Sequence, residues 1–167
     1  MNMRSIVKSR SVKLGLATFC ALASVSSAFA QDAPASPEEQ AQQAVDLRQS
    51  LFRLIGYSFG PVGGMLKNKI PYDAAVVQKS ASRLEQLAPM IPEVFQTDTR
   101  KVTTLKTKAR EGIWTNKSDF TAKADDLAKA VDGLSTAAKS GDKKQFTQAA
   151  AAVGKACGAC HDNFREK

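Results

Sequence analysis

Apolar residues recur three and four positions apart along most of the chain, a spacing that predicts amphipathic helices rather than strands. Ala41, Ala44, Val45, Leu51, Phe52, Ile55, Phe59 and Val62 trace a first helix. Its start is written in Ser36-Pro37-Glu38-Glu39, with Ser36 as cap, Pro37 at the first helical position and Glu39 reaching back. Gly60-Pro61 and Gly63-Gly64 are expected to weaken this helix near its end, and Ile70-Pro71 to close it. Val76, Val77, Leu84 and Leu87 outline a second helix, from about Tyr72-Asp73 to just before Pro89 and Pro92. From there to about Trp114 no period holds, apart from an expected short helical turn around residues 102–108. A third helix, from Asn116 or Ser118, carries Phe120, Ala124, Leu127, Val131, Leu134 and Ala138. Gly141 then ends it and Asp142 caps the next. The fourth repeats the rhythm at Phe146, Ala150, Val153, Cys157, Cys160 and Phe164. Four such helices joined mostly by short connections predict an all-α fold, an antiparallel up-down-up-down four-helix bundle over residues 37–167.

Residues 1–30 break this pattern and are expected to be a cleaved signal peptide. Arg4, Lys8, Arg10 and Lys13 precede an apolar stretch from Leu14 to Val25, and Ala28-Phe29-Ala30 supplies the small-x-small cleavage signature. Roughly twelve apolar residues are too few for a stable bilayer span, which takes about twenty. A buried N-terminal helix is the alternative, but the charge asymmetry and the cleavage signature favour export to the periplasm. Phe19 is too bulky to precede a lipoprotein cysteine at Cys20. Residues 31–36 are expected to form a flexible leader. Cleavage removes four basic residues from a chain of net charge +8, so the mature protein carries about +4 by formal count. Part of the basic character thus belongs to the leader, and no aromatic-basic pattern points to nucleic acid. No other apolar run is long enough to hold the mature chain in a membrane. Two cysteines remain after cleavage, in an oxidising compartment.

Those two cysteines carry the chemistry. Cys157-Gly158-Ala159-Cys160-His161 is a C-x-x-C-H sequence, the attachment signature of c-type haem. Two thiols three residues apart can each add to one porphyrin vinyl group, and the adjacent histidine can bind the iron as proximal ligand. On a helix, positions i, i+3 and i+4 share a face, here the apolar seam of the fourth helix, so one haem c would lie inside the bundle. Gly158 and Ala159 are small enough to let a flat macrocycle approach. A zinc site would need a further ligand, yet His161 is the sole histidine and no second C-x-x-C exists. A thioredoxin-type dithiol belongs at a helix N-terminus after a strand, whereas this motif ends a helix. A non-haem dithiol or zinc protein is therefore the minor alternative.

Only six residues follow His161, so no downstream methionine can complete the iron's coordination. With its motif at the C-terminal end, the chain resembles the cytochrome c prime family, the class II c-type cytochromes. The resemblance is carried by Leu47-Arg48-Gln49-Ser50, Gly56-Tyr57-Ser58-Phe59-Gly60, Pro71-Tyr72-Asp73-Ala74-Ala75, Gly112-Ile113-Trp114 and the segment from Ala152 to Arg165. Glu111-Gly112 departs from the Pro-Glu that the family often has before Ile-Trp, which puts the local loop conformation in question. The resemblance implies that Phe52 covers the open face of the iron, that Arg48 and Gln49 lie near the haem propionates, and that Arg165 lies on the proximal side. It also implies a homodimer formed by the first two helices. From the residues themselves, Arg48 and, more readily, Gln49 could instead form a solvated helix face, and Arg165 could as well be an ordinary cation at a helix C-terminus.

A bundle of this topology sets the haem motif opposite roughly Val45 to Phe52, a window without His or Met. Met65 lies about 20 Å further along the first helix by its rise per residue. Met90, expected in a loop between Pro89 and Pro92, is the remaining and disfavoured candidate for a sixth ligand. A phenyl ring cannot ligate iron, so five-coordinate iron open to NO or CO is expected. One-electron transfer with a redox partner protein is the leading functional reading. A dedicated gas-binding or sensing protein is the alternative, and enzymatic chemistry is not expected, because no acid-base pair accompanies the motif. Scattered lysines suggest a diffuse positive face able to steer acidic redox partners.

Overall fold

A computed structural model of the chain describes residues 35–167. The expected signal peptide, and residues 31–34 of the leader, lie outside the described residues. Six helices follow in order: α1 (Pro37–Leu66), α2 (Ala74–Leu87), α3 (Met90–Val94), α4 (Gly112–Thr115), α5 (Lys117–Ser140) and α6 (Lys143–Phe164). The four long ones form a ring in which α1 packs on α2, α2 on α5, α5 on α6 and α6 on α1. This is the expected four-helix bundle.

Local chemistry sets the helix starts. Ser36 Oγ accepts from the Glu39 amide at 3.2 Å while the Glu39 carboxylate accepts from the Ser36 amide at 2.7 Å, a reciprocal cap. That contact holds the Glu39 carboxyl below its ordinary value. Asp73 caps α2 through the Val76 amide, and Asp142 caps α6 through the amides of Lys144 and Gln145. The two amides hold the Asp142 carboxyl below the usual range. α1 runs unbroken through Gly60-Pro61 and Gly63-Gly64, beyond where it was expected to weaken. Pro61 deprives the Tyr57 carbonyl of its helical donor, but Tyr57 is exposed, so water can serve that oxygen.

Gly141 ends α5 with φ of 70°, the left-handed conformation that a Cβ penalises. Nothing stands within 4 Å of a Cβ built there, so conformational strain alone would act. Gly141→Ala is expected to cost about 1–2 kcal/mol, read as a lower urea midpoint.

The core runs along the ring, with Val45, Val62, Val77, Leu84, Val131, Leu134, Phe146 and Val153 almost fully enclosed. Two expectations fail in the connection between α2 and α5. Residues 102–108 form turns and extended chain rather than a helical turn, because the segment is drawn toward the C-terminus. Met90 lies on the short helix α3, not in a loop.

Candidate haem site

The end of α6 presents Cys157, Cys160 and His161 to one cavity of about 790 Å³. That volume lies within the roughly 300–1,000 Å³ typical of cofactor sites. α1 contributes Val45, Arg48, Gln49, Phe52, Ile55 and Phe59, and α5 contributes Phe120, Lys123, Ala124 and Leu127. Ile91, Phe95, Thr107, Lys108, Ala109 and Ile113 from the connection complete the wall together with Phe164. A Cβ at Gly158 would meet nothing within 4 Å, so the helix surface between the cysteines is open to a flat ligand. An apolar slot with two thiols and an imidazole on one wall fits a covalently attached haem. A zinc site would need a fourth ligand, and among the described residues no further His, Cys, Asp or Glu lines this cavity.

The two thiols are free, and burial pushes both above their ordinary value, with Cys157 adding to the rise at Cys160. A redox-active dithiol needs the opposite shift. Burial, then Arg165, lowers the His161 pKa, while Asp162 opposes them. The neutral imidazole so favoured is the form that binds metal. His161 also borders a smaller hollow of about 210 Å³ with Arg110, Asp162, Arg165, Glu166 and Lys167.

Arg48 is not on a solvated face. Only 3% exposed, its Nε donates to the Val94 carbonyl at 2.8 Å, Nη1 to Thr99 Oγ1 at 2.9 Å, and Nη2 to the Thr97 carbonyl. The guanidinium stacks over Phe95 at 4.7 Å and Trp114 at 5.2 Å. Burial lowers its pKa and nearby Asp98 opposes the shift. Gln49 is exposed and donates from Nε2 to the Lys106 carbonyl at 3.1 Å. Phe52, 37% exposed, meets Phe95 at 6.2 Å between ring centres. Arg165 is exposed at the cavity edge. Met90 is 39% exposed and lies off the cavity wall.

Phe95 and the strap at 106–110 went unrecognised in the sequence. Phe95 joins Phe52, Trp114 and Phe120 in one aromatic cluster, and its carbonyl accepts from Trp114 Nε1 at 3.0 Å. The strap pairs with the end of the chain: the Arg110 amide donates to the Phe164 carbonyl and the Glu166 amide to the Lys108 carbonyl. Arg110 adds an ion pair to Glu166 at 3.2 Å. The only local signal was the clustering of Phe95 and Trp114 with the lysines of an otherwise aperiodic stretch.

Fold and site together define a c-type haem cytochrome of the four-helix kind. Residues 43–165 match the family described as Cytochrome C', and the chain belongs to the cytochrome c' family. It is 38% identical over 124 residues to cytochrome c' of Rubrivivax gelatinosus, covering 74% of this chain and 95% of that one. The crystal structure of the Rubrivivax protein superimposes with a TM-score of 0.69, covering 75% of this chain and 97% of that chain at 36% identity. Cytochrome c-554 of Cereibacter sphaeroides is 34% identical over 148 residues, 88% of this chain and 96% of that one. A nitric oxide complex of a leucine-to-isoleucine mutant of cytochrome c prime from Alcaligenes xylosoxidans matches with a TM-score of 0.68 at 31% identity, covering 76% and 97% of the two chains. The family binds a c-type haem, and Cys157 and Cys160 are present here for its covalent attachment.

Proposed function

We propose that the protein is a periplasmic monohaem cytochrome of class II that carries single electrons and keeps one side of its haem iron open to NO or CO. The observation that carries this reading is the composition of the cavity wall: among the described residues it holds His161 but neither a second histidine nor a methionine. When bound, a haem supplies a one-electron iron couple and a coordination position for diatomic gases. Cys157 and Cys160 would hold it by thioethers, and His161 would ligate the iron. Arg165 would lie on the proximal side, beside His161. Phe52, braced by Phe95, would cover the open position without offering a hydrogen bond, which disfavours bound O₂ relative to NO and CO. Arg48 spends three of its five N–H donors on the connection. The other two, with Gln49, remain available to the propionates. Exposed Leu47, Leu54 and Tyr57 share a stripe of α1 and support pairing of two copies through the first helices. Export through residues 1–30 accords with the oxidising compartment in which such maturation proceeds.

A gas-binding role without electron transfer is the second reading, favoured by the same wall and by the nitric oxide complex solved for the Alcaligenes relative. Absorption spectra of the reduced holoprotein test the open site. A high-spin Soret band that shifts on adding CO is expected, and Phe52→Met should convert it to a low-spin spectrum with at least a tenfold weaker CO response. A wild-type spectrum that is low-spin and indifferent to CO would overturn the open position.

A further inference from the structure

The wall and mouth of the haem cavity carry charge of one sign only. Arg48, Arg53, Lys108, Lys123 and Arg165 line it, and among the described residues no Asp or Glu does. Without the four leader cations the chain has 20 Lys and Arg against 16 Asp and Glu, so an unbiased wall would mix about four acids with every five bases. Nearby carboxylates stand outside it. Glu166 is tied to Arg110, Asp162 lies beside His161 away from the large cavity, and Asp119 acts on Cys160 only from a distance. Arg53, Lys108 and Arg165 are exposed and Lys123 is half-buried.

A haem's two propionates would answer two of these five charges, the buried Arg48 among them. A cationic excess therefore remains around the opening that gives access to the cofactor. We propose that this rim, centred on Arg53, Lys108, Lys123 and Arg165, is the docking face for an acidic redox protein that exchanges electrons with the haem. The proposal rests on the electron-transfer reading above. Cations clustered at the opening orient an acidic partner as well as attract it, bringing its donor to the haem side of the bundle rather than to the far end. Such steering raises association rates by about ten- to a thousandfold at low salt and decays as screening shortens its reach.

Stopped-flow reduction of the ferric holoprotein by a reduced acidic flavodoxin tests the face. The wild-type rate constant is expected to fall at least tenfold between about 10 mM and 200 mM NaCl. Lys108→Glu with Lys123→Glu should slow the low-salt reaction at least tenfold, and the glutamine pair should give an intermediate loss if the glutamate pair matures poorly. Lys143→Glu with Lys144→Glu, about 20 Å along α6 from the cysteines, should change it less than twofold. Reduction by hexaammineruthenium(II), a small cation, should accelerate in the rim variant. Equal rates in wild type and both rim variants, or an equal loss in the distal pair, would overturn the docking face while leaving electron transfer intact. A haem that hexaammineruthenium(II) cannot reduce would sink the electron-transfer reading and the docking face with it.

Discussion

Cys157→Ser with Cys160→Ser is expected to abolish covalent haem, taking the attached fraction from nearly all of the mature protein to none. A serine hydroxyl does not add to a vinyl group as a thiol does, so neither thioether can form. His161 and the apolar walls stay in place, so some haem can still enter without attachment. Two measurements separate the cases: the mass of the denatured protein, and extraction of the pigment into acidified organic solvent. The double variant should show the unmodified polypeptide mass and lose all colour to the solvent, whereas wild type keeps its colour with the chain. Either single variant should retain one link and the larger mass. Folding should suffer as well, because a group bound only by the native state stabilises it and its loss withdraws that contribution. Haem that stays with the chain of the double variant would refute the assignment.

Arg48→Ala is expected to destabilise the holoprotein by about 3–5 kcal/mol, more than any other single change at the site. Three acceptors, the Val94 and Thr97 carbonyls and Thr99 Oγ1, would lose their donor in a place water reaches poorly. Each hydrogen bond to a charged group contributes about 1.5–3 kcal/mol, and partial relaxation of the connection keeps the sum below three full bonds. The stacked faces of Phe95 and Trp114 would also lose contact. In urea this amounts to a midpoint lower by on the order of 2 M. Arg48→Lys should recover little, since one ammonium cannot reproduce a fork reaching three acceptors. Arg48→Met restores apolar contact without donors and so separates packing from hydrogen bonding. A loss below 1 kcal/mol for all three would show that the connection does not depend on this residue.

The four long helices were legible because each buries a stripe at a period the chain itself displays, and because Ser36, Asp73, Gly141 and Asp142 mark ends by local chemistry. The C-x-x-C-H motif was legible for a related reason: attachment needs its groups adjacent in sequence. The rest of the site obeys no local rule. Residues 95–111 are held by the buried Arg48, by Trp114 Nε1 on the Phe95 carbonyl and by a single bridge between Ala109 and Arg165. None of these partners is near in sequence, so no periodicity announces them. Arg48 shows the same limit from the other side. A helix pattern alone could place it on a solvated face, and only the path of the connection over α1 puts it in the interior.

The strap between Lys108 and Glu166, like the packing of α1 on α6, joins segments dozens to more than a hundred positions apart. Such contacts pay the largest loop-closure entropy and form late as a chain condenses. Held across that span by two backbone hydrogen bonds rather than by a continuous helical ladder, this corner of the slot is expected to form late and to loosen early under stress. Hydrogen exchange should find the backbone of that corner less protected than the α2–α5 seam, giving a porphyrin its route in before the helices have locked around it.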